Sequence, residues 1–203
     1  MKFFGWRMVF TGLTLEFTVV GFIFYSFPVI WPYLISELGM TESQLGMVTA
    51  FYFLPVGILA IVVGRALDKY SVKNFMMIGA VIYAVGLFSL SFINSYGSLL
   101  TIYLTIIALG SIMMGNLAVA KLISNWFDKN AGRALGIAAI GISFSGVVLP
   151  LIVDPLLDLV GWRNVYVIFA SVVLFIILRL IFFIVSDDPN TVNQVKDGIK
   201  IDN

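Results

Sequence analysis

The side chains that could take part in chemistry are few, and three of them are ionisable groups inside long apolar runs. Glu16 lies nine residues after Arg7, roughly 13 Å further on if the segment is helical. Lys121 lies about one turn inside the end of a second run, and Arg179 about two turns inside a third. Charge in hydrocarbon is costly and usually functional, so all three are candidates for proton coupling or an intramembrane ion pair.

The acid and the two cations differ in how far their charge can reach. Lysine and arginine side chains can bury their stems and extend their heads to the lipid headgroups, which is the simpler interpretation of Lys121 and Arg179. The side chain of Glu16 is too short to reach water from its depth. Glu16 must therefore carry a proton or pair with a cation on a neighbouring helix.

Absences from the sequence exclude several classes of chemistry. The chain has no cysteine and no histidine, which removes thiol chemistry, disulfides, the commonest transition-metal ligand and the usual proton switch near neutral pH. It contains no G-x4-G-K-[S/T] phosphate loop. The net charge of +1 argues against a nucleic-acid partner. We expect no enzyme, no metal site and no cofactor.

The elements that must position these residues are membrane-spanning helices. Of the 203 residues, 61% are hydrophobic and 11% charged, and the mean hydropathy is +1.06. A soluble domain is about 45–50% apolar and about 25% charged. A helical span needs about 20 apolar residues, and the continuous runs favour helices over an alternating β-barrel. The predicted spans 1 to 6 cover residues 8–34, 44–64, 74–94, 98–121, 134–157 and 164–186.

The distribution of basic residues predicts the orientation of these spans. With the N-terminus inside, only Arg163 falls on the outer side. The inner side then holds Lys2, Arg7, Arg65, Lys69, Lys73, Lys129, Arg133, Lys196 and Lys200. Both termini are therefore expected in the cytoplasm, and the polar residues 187–203 are predicted to form a flexible cytoplasmic tail.

Two stretches of the sequence resemble a known family. The loop "GRALDKYSVK" holds Gly64, Asp68, Lys69 and Lys73 at the spacing of the major facilitator superfamily signature, with Ser71 where that family prefers glycine. The second stretch is "NWFDKNAGRALGIAAIGISFSGVVLP", which contains Arg133 and is followed by "GWRNVYVIF". This second stretch resembles most closely the oxalate/formate exchanger and monocarboxylate transporter branches of the superfamily.

The resemblance implies an all-α membrane protein, in which six transmembrane helices form two inverted three-helix repeats, half of a major facilitator fold. The small residues of span 5 suit close helix crossing; they are Gly132, Gly136, Gly141, Ser145 and Gly146. Gly64 should allow close approach of a neighbouring helix, and Asp68 should accept from a helix N-terminus or an arginine and latch an inner gate.

The resemblance also implies a site and a function. Spans 1 and 4 line the central cavity in this superfamily, so we predict an ion pair between Glu16 and Lys121, with Glu16 as the proton-coupling group. Tyr25 and Asn116 are the candidate substrate ligands, because both can hydrogen-bond a carboxylate. The expected function is secondary active transport of a small organic anion, a mono- or dicarboxylate, by alternating access with proton symport or anion exchange. The expected location is the bacterial cytoplasmic (inner) membrane.

Transporters of this superfamily have two six-helix halves, and the resemblance covers one. Three interpretations stay open at this point. The chain is the first half of a split or truncated transporter, a half-size protein that forms a homodimer, or a non-transporting membrane protein that acts as an assembly partner or relic. The expected partners are the lipid bilayer, the organic anion, and a second half or a dimer mate.

Overall fold

The computed structural model describes residues 3–198, and within that range the chain is helical and has no strand. Lys2 and Lys200, two of the predicted inner charges, lie outside it. The α-helices are α1 Gly5–Val20, α2 Phe27–Leu38, α3 Glu42–Leu67, α4 Val72–Leu90, α5 Tyr96–Ile102, α6 Ala108–Met114, α7 Asn116–Trp126, α8 Ala131–Val172 and α9 Leu178–Ile184. Wider π-type turns occupy Gly21–Tyr25, Tyr103–Ile107 and Val173–Ile177, and short 3₁₀ turns occupy Pro189–Val192 and Lys196–Gly198.

These helices combine into stretches long and apolar enough to cross a membrane. In the described part of the chain they are Gly5–Leu38, Glu42–Leu67, Val72–Leu90, Tyr96–Trp126 and Ala131–Ile184. The last covers 54 residues and is interrupted at Gly161, whose φ of 77° favours glycine. This break separates spans 5 and 6, so the fold is the predicted six-helix bundle. The chain is therefore a multi-pass membrane protein.

Glycines set how closely the spans cross. A Cβ at Gly141 would collide with the carbonyl oxygen of Leu13 on span 1, and one at Gly110 would lie 2.5 Å from the backbone nitrogen of Tyr83 on span 3. Gly146 likewise lies against the ring of Tyr25. Gly132 and Gly136 have nothing within 4 Å of an added Cβ, so close packing in span 5 is confined to its middle.

The bundle has one end rich in basic residues, which we call the basic end; it carries residues 65–73 and 129–133. Ser71, which replaces the family's glycine, starts α4 as its N-cap, and its hydroxyl accepts from the Asn74 N–H at 3.2 Å. Serine is therefore compatible with this loop, because as the N-cap it stabilises the start of α4.

The predicted flexible tail is instead held against the basic end as far as Asp197. Its Asp187 carboxylate accepts from the Lys73 N–H at 2.7 Å, and its Ser186 carbonyl accepts from the Trp126 indole at 2.7 Å. The Phe4 N–H donates to the Gln194 side chain at 2.8 Å. The sequence did not predict these contacts, because polar composition does not reveal specific partners.

Candidate functional site

A cavity of about 320 Å³ lies between spans 1, 2, 4 and 5. Eight of its thirteen lining residues are valine, isoleucine or phenylalanine. The polar lining is Glu16, Tyr25, Tyr52, Ser111 and Asn116. The cavity thus brings together three of the residues singled out in the sequence, Glu16, Tyr25 and Asn116, on two helices that are far apart along the chain.

Glu16 is the one charged residue of this described lining. Its side chain is 2% exposed, and its Oε2 atom is buried with no hydrogen-bond partner among the described residues. Asn116 on α7 faces the carboxyl group. Glu16 is oriented by α1, whose Gly12 and Leu13 pack against α7 and α8.

The predicted ion pair between Glu16 and Lys121 is not formed. The Lys121 Nζ instead donates to the Asp68 Oδ1 at 2.6 Å, at the basic end of the bundle. Lys121 lies five residues beyond Asn116 on α7, about 7.5 Å further along the axis and away from the cavity. The long lysine side chain therefore extends toward the basic end of the bundle.

The signature loop around Asp68 is ordered by contacts from several spans. Asp68 caps the end of α3 and pairs with Lys121, so its partner is a lysine of span 4 rather than an arginine or a helix N-terminus. Lys69 is exposed. The Lys73 ammonium lies 5.3 Å from the ring centroid of Phe182. An added Cβ at Gly64 would meet only Leu117 at 3.9 Å, so the expected close helix approach at Gly64 is absent from the described structure.

Two further basic residues lie outside the cavity. Arg133 is exposed at the basic end, with its guanidinium 5.7 Å from the Trp6 ring. Arg179 is exposed on α9, away from the cavity, in a position to extend to the headgroups.

Sequence reasoning missed two features of the cavity. The Tyr52 and Ser111 hydroxyls are hydrogen-bonded at 2.6 Å and join spans 2 and 4 across one side of it. Span 4 is also broken beside Glu16: α6 ends at Met114, α7 begins at Asn116, and Gly115 between them has φ −92° and ψ −139°. An isolated glycine is common in transmembrane helices, so the sequence offered no signal for this break.

The opposite end of the bundle carries a polar cluster that includes the "GWR" motif. Glu37 of span 1 accepts from the Trp162 indole and from the Arg163 guanidinium, the latter at 2.8 Å. Tyr33 donates to Asp158 at 3.0 Å, and Arg163 stacks 4.1 Å from the Trp162 ring centroid. This cluster ties span 1 to the junction of spans 5 and 6, and Glu37 was not recognised in the sequence.

Comparison with known proteins assigns the chain to a family. The family model of the Major Facilitator Superfamily matches residues 13–200, and the chain belongs to that superfamily. In structure, it is similar to a bacterial homolog of the human lysosomal transporter Spinster, in the inward-facing and occupied conformation. The TM-score is 0.70 at 17% sequence identity, covering 91% of this chain and 44% of the other.

Curated relatives are similar over most of this chain and a smaller part of their own. The MFS-type transporter pynF of Aspergillus niger is 26% identical over 160 residues, 78% of this chain and 36% of that protein. A probable hexose phosphate transport protein of Chlamydia trachomatis is 26% identical over 165 residues, 78% of this chain and 35% of that protein. The chain therefore spans about a third of the length of these relatives.

Proposed function

We propose that this chain forms one side of the translocation path of a secondary active transporter that moves a small organic anion together with a proton. The observation that carries the proposal is the buried Glu16 carboxyl in the wall of the cavity, whose Oε2 atom has no hydrogen-bond partner among the described residues. The relative named for hexose phosphate transport carries the name of an anionic solute, which supports the anion class. The carboxylate branches that the sequence resembles support the same class.

Glu16 is suited to couple a proton to movement of the cavity. A charged carboxylate without a cation is costly in an apolar site, so the closed cavity favours the protonated acid. Access to water on one side of the membrane lets the acid release its proton there. Alternating access then turns one buried carboxyl into a proton carrier.

A second six-helix body is needed to complete the path. Asn116 is exposed on the described bundle, although it lies in the interior of span 4. An amide facing lipid tails would lack hydrogen-bond partners, so this face suits a water-filled cavity closed by protein. The second body is either a C-terminal half or a second copy of the chain, and the basic end faces the cytoplasm.

The test is uptake driven by a pH gradient in proteoliposomes containing this chain with its second half, or as a homodimer. Replacing Glu16→Gln should abolish stimulation of uptake by an inward proton gradient, because the amide cannot release a proton. Exchange of solute without a gradient should persist. Asn74→Gln, an exposed change at the basic end, is the matched control, and pH-driven uptake by Glu16→Gln at the unmodified rate would reject the proposal.

Blue-native electrophoresis separates this function from the non-transporting alternative. A chain that acts in transport should migrate as a complex with a coexpressed second half or with itself. A chain that stays monomeric under both conditions would support the relic interpretation instead.

A further inference from the structure

The described lining of the cavity offers no cationic side chain to the proposed anion. Among the described lining residues Glu16 alone is charged, and it is an acid. Lys121 is engaged by Asp68 at the basic end, and Arg179 is exposed on α9 and does not line the cavity. Any anion that binds to this half must therefore be held by neutral donors or by backbone.

The break in span 4 supplies backbone donors inside the membrane. The Gly115 N–H donates to the Ser111 carbonyl at 2.7 Å, and the Val119 N–H donates to the Gly115 carbonyl at 2.9 Å. Between them, the N–H groups of residues 116–118 form the first turn of α7, where N–H groups have no acceptor within their own helix, and the N-cap residue of α7 makes no side-chain capping bond. These N–H groups and the partial positive charge of a helix N-terminus are suited to an anion.

The break is held by packing. A Cβ at Gly115 would lie 2.7 Å from the Ser111 carbonyl oxygen and 3.2 Å from Val19 of span 1. Span 1 therefore fixes the start of α7 and presents Glu16 on the same helix, one turn before Val19. The contact between Gly115 and Val19 thus positions both the N-terminus of α7 and the Glu16 side chain.

Glu16 is the second, independent sign of a ligand at this place. Its Oε2 atom is fully buried without a partner, while Asn116, the first residue of α7, faces the same carboxyl. A buried polar atom without a partner costs about 1–3 kcal/mol, so such atoms are rare unless something binds there. The open helix terminus and the Oε2 atom of Glu16 would both gain a partner if an anion lay between them.

We propose that the substrate's anionic group binds at the N-terminus of α7 and accepts a hydrogen bond from protonated Glu16, so that one site takes an anion and a proton together. This inference rests on the proposed function and specifies its site. The carboxyl proton stays on the Glu16 oxygen and points at the anion. The valine, isoleucine and phenylalanine lining receives the rest of the solute, which is therefore a small organic acid with an apolar body.

The proposed anion can bind only while Glu16 carries a proton, because an ionised Glu16 would repel it. An ionised Glu16 would place like charges within hydrogen-bond distance and lose the donor, so the anion binds to the protonated acid. The other titratable groups on the elements packed around this part of span 1 are Tyr25, Tyr52 of α3, Tyr83 of α4, Tyr103 of span 4 and Tyr166 of α8. Asn116 of α7 and Ile142 of α8 also line the cavity, and neither titrates. Tyrosine hydroxyls are neutral across the physiological range, which leaves Glu16 to set the pH dependence.

Binding of three probes to the chain in lipid nanodiscs tests the site, with empty nanodiscs subtracted. Hexane-1-sulfonate, hexyltrimethylammonium and hexan-1-ol share an apolar tail and differ in head group, and neither ion titrates. We expect saturable binding of the sulfonate at about pH 5.5 and at least about tenfold weaker binding at about pH 8, because the loss of a hydrogen bond to a charged group is worth roughly that factor. Proton uptake should accompany sulfonate binding.

Two variants separate the roles of the acid and the helix. Glu16→Gln keeps a neutral donor, so sulfonate binding should become independent of pH and lose its proton uptake. Asn116→Asp puts a negative charge at the start of α7 and should weaken sulfonate binding at least about tenfold at both pH values. Asn74→Asp makes the same change in the first turn of α4, away from the cavity, and should bind like the unmodified chain.

Three outcomes would overturn the inference: no saturable sulfonate binding at pH 5.5, tighter binding of the ammonium probe, or equal binding of the alcohol. Normal pH dependence in the folded Glu16→Gln protein would also overturn it. Each of these outcomes leaves pH-driven uptake by the assembled transporter as a separate measurement, so failure of the site and failure of the proposed function are distinguished.

Discussion

The role of an ionisable residue in this protein depends on the partner that lies next to it in the folded structure. Lys121 and Glu16 are both ionisable groups in apolar runs, and the structure separates their roles. Lys121 extends to Asp68, with side chains that are 33% and 67% exposed, and Glu16 stays buried in the cavity. The sequence could identify both residues but not their partners, because Asp68 lies 53 positions before Lys121 and only the fold brings them together.

The pair between Asp68 and Lys121 should contribute little to stability. Exposed ion pairs are worth about 0.2–1 kcal/mol, so a double-mutant cycle of Asp68→Asn and Lys121→Met should give a coupling energy below about 1 kcal/mol in thermal unfolding. The Lys69→Gln variant, at an exposed neighbouring position, is the control. A coupling energy of several kcal/mol would mean that the loop is a structural support, whereas a slowed transport rate with normal stability would fit a role in gating.

At the scale of helices, apolar runs in the sequence predicted the six spans. They did not predict the helix break and the π-type turns inside those spans. Gly161 separates spans 5 and 6 and lies in the gap between the predicted spans 134–157 and 164–186, but Gly115 and the π-type turn Gly21–Tyr25 interrupt runs that read as continuous. Both interruptions border the cavity. Local sequence does not encode them, because they depend on contacts such as Gly115 with Val19 of another span.

The crossing of spans 1 and 5 should depend on a single glycine. Gly141→Ala places a methyl group against the Leu13 carbonyl and should destabilise the protein by about 1–3 kcal/mol through overpacking. Gly136→Ala in the same helix has open space around its Cβ and should be neutral or stabilising by up to about 1 kcal/mol. Thermal unfolding in detergent compares the two, and equal effects would show that the crossing tolerates a wider separation.

At the scale of the whole molecule, the tail acts as a strap across the basic end. Three consecutive N–H groups, those of Asp128, Lys129 and Asn130, donate to the Asp197 carboxylate at 2.8–3.2 Å. Together with the contacts of Asp187 and Gln194, this carboxylate links the tail to spans 1, 3 and 4 and to the loop before span 5. Such a strap would favour movement of the bundle as one body, which the proposed alternating access requires.

The strap should loosen when Asp197 loses its charge. Burial alone would raise the pKa of the Asp197 carboxyl, but the N–H donors and the Asn130 side chain outweigh burial and lower the pKa. A lowered pKa means that the contribution to stability is complete above the ordinary aspartate value and is lost as the pH falls through the folded-state value, below about pH 4. Asp197→Asn should therefore speed hydrogen exchange at residues 128–130 at neutral pH, and the difference should shrink below about pH 4.

A control for the Asp197→Asn experiment is available in the same tail segment. The Asp188 carboxylate accepts from the nearby Asn190 N–H, and the Asp188 carbonyl accepts from Thr191 and Ser186. These partners all lie within the tail segment, so Asp188→Asn should leave exchange at residues 128–130 unchanged. Equal acceleration by both substitutions would show that the tail responds to charge in general rather than to the carboxylate bound at the loop.

The orientation of the whole bundle can be tested because the chain has no natural cysteine. Lys69→Cys lies at the basic end and Asn164→Cys at the opposite end, and both positions are exposed. Basic loops are retained in the cytoplasm, so a membrane-impermeant maleimide should label Asn164→Cys in intact cells and Lys69→Cys only after permeabilisation. The reverse pattern would place the basic end outside, and Glu16 would then meet the cavity water from the opposite compartment, which would reverse the direction of proton coupling.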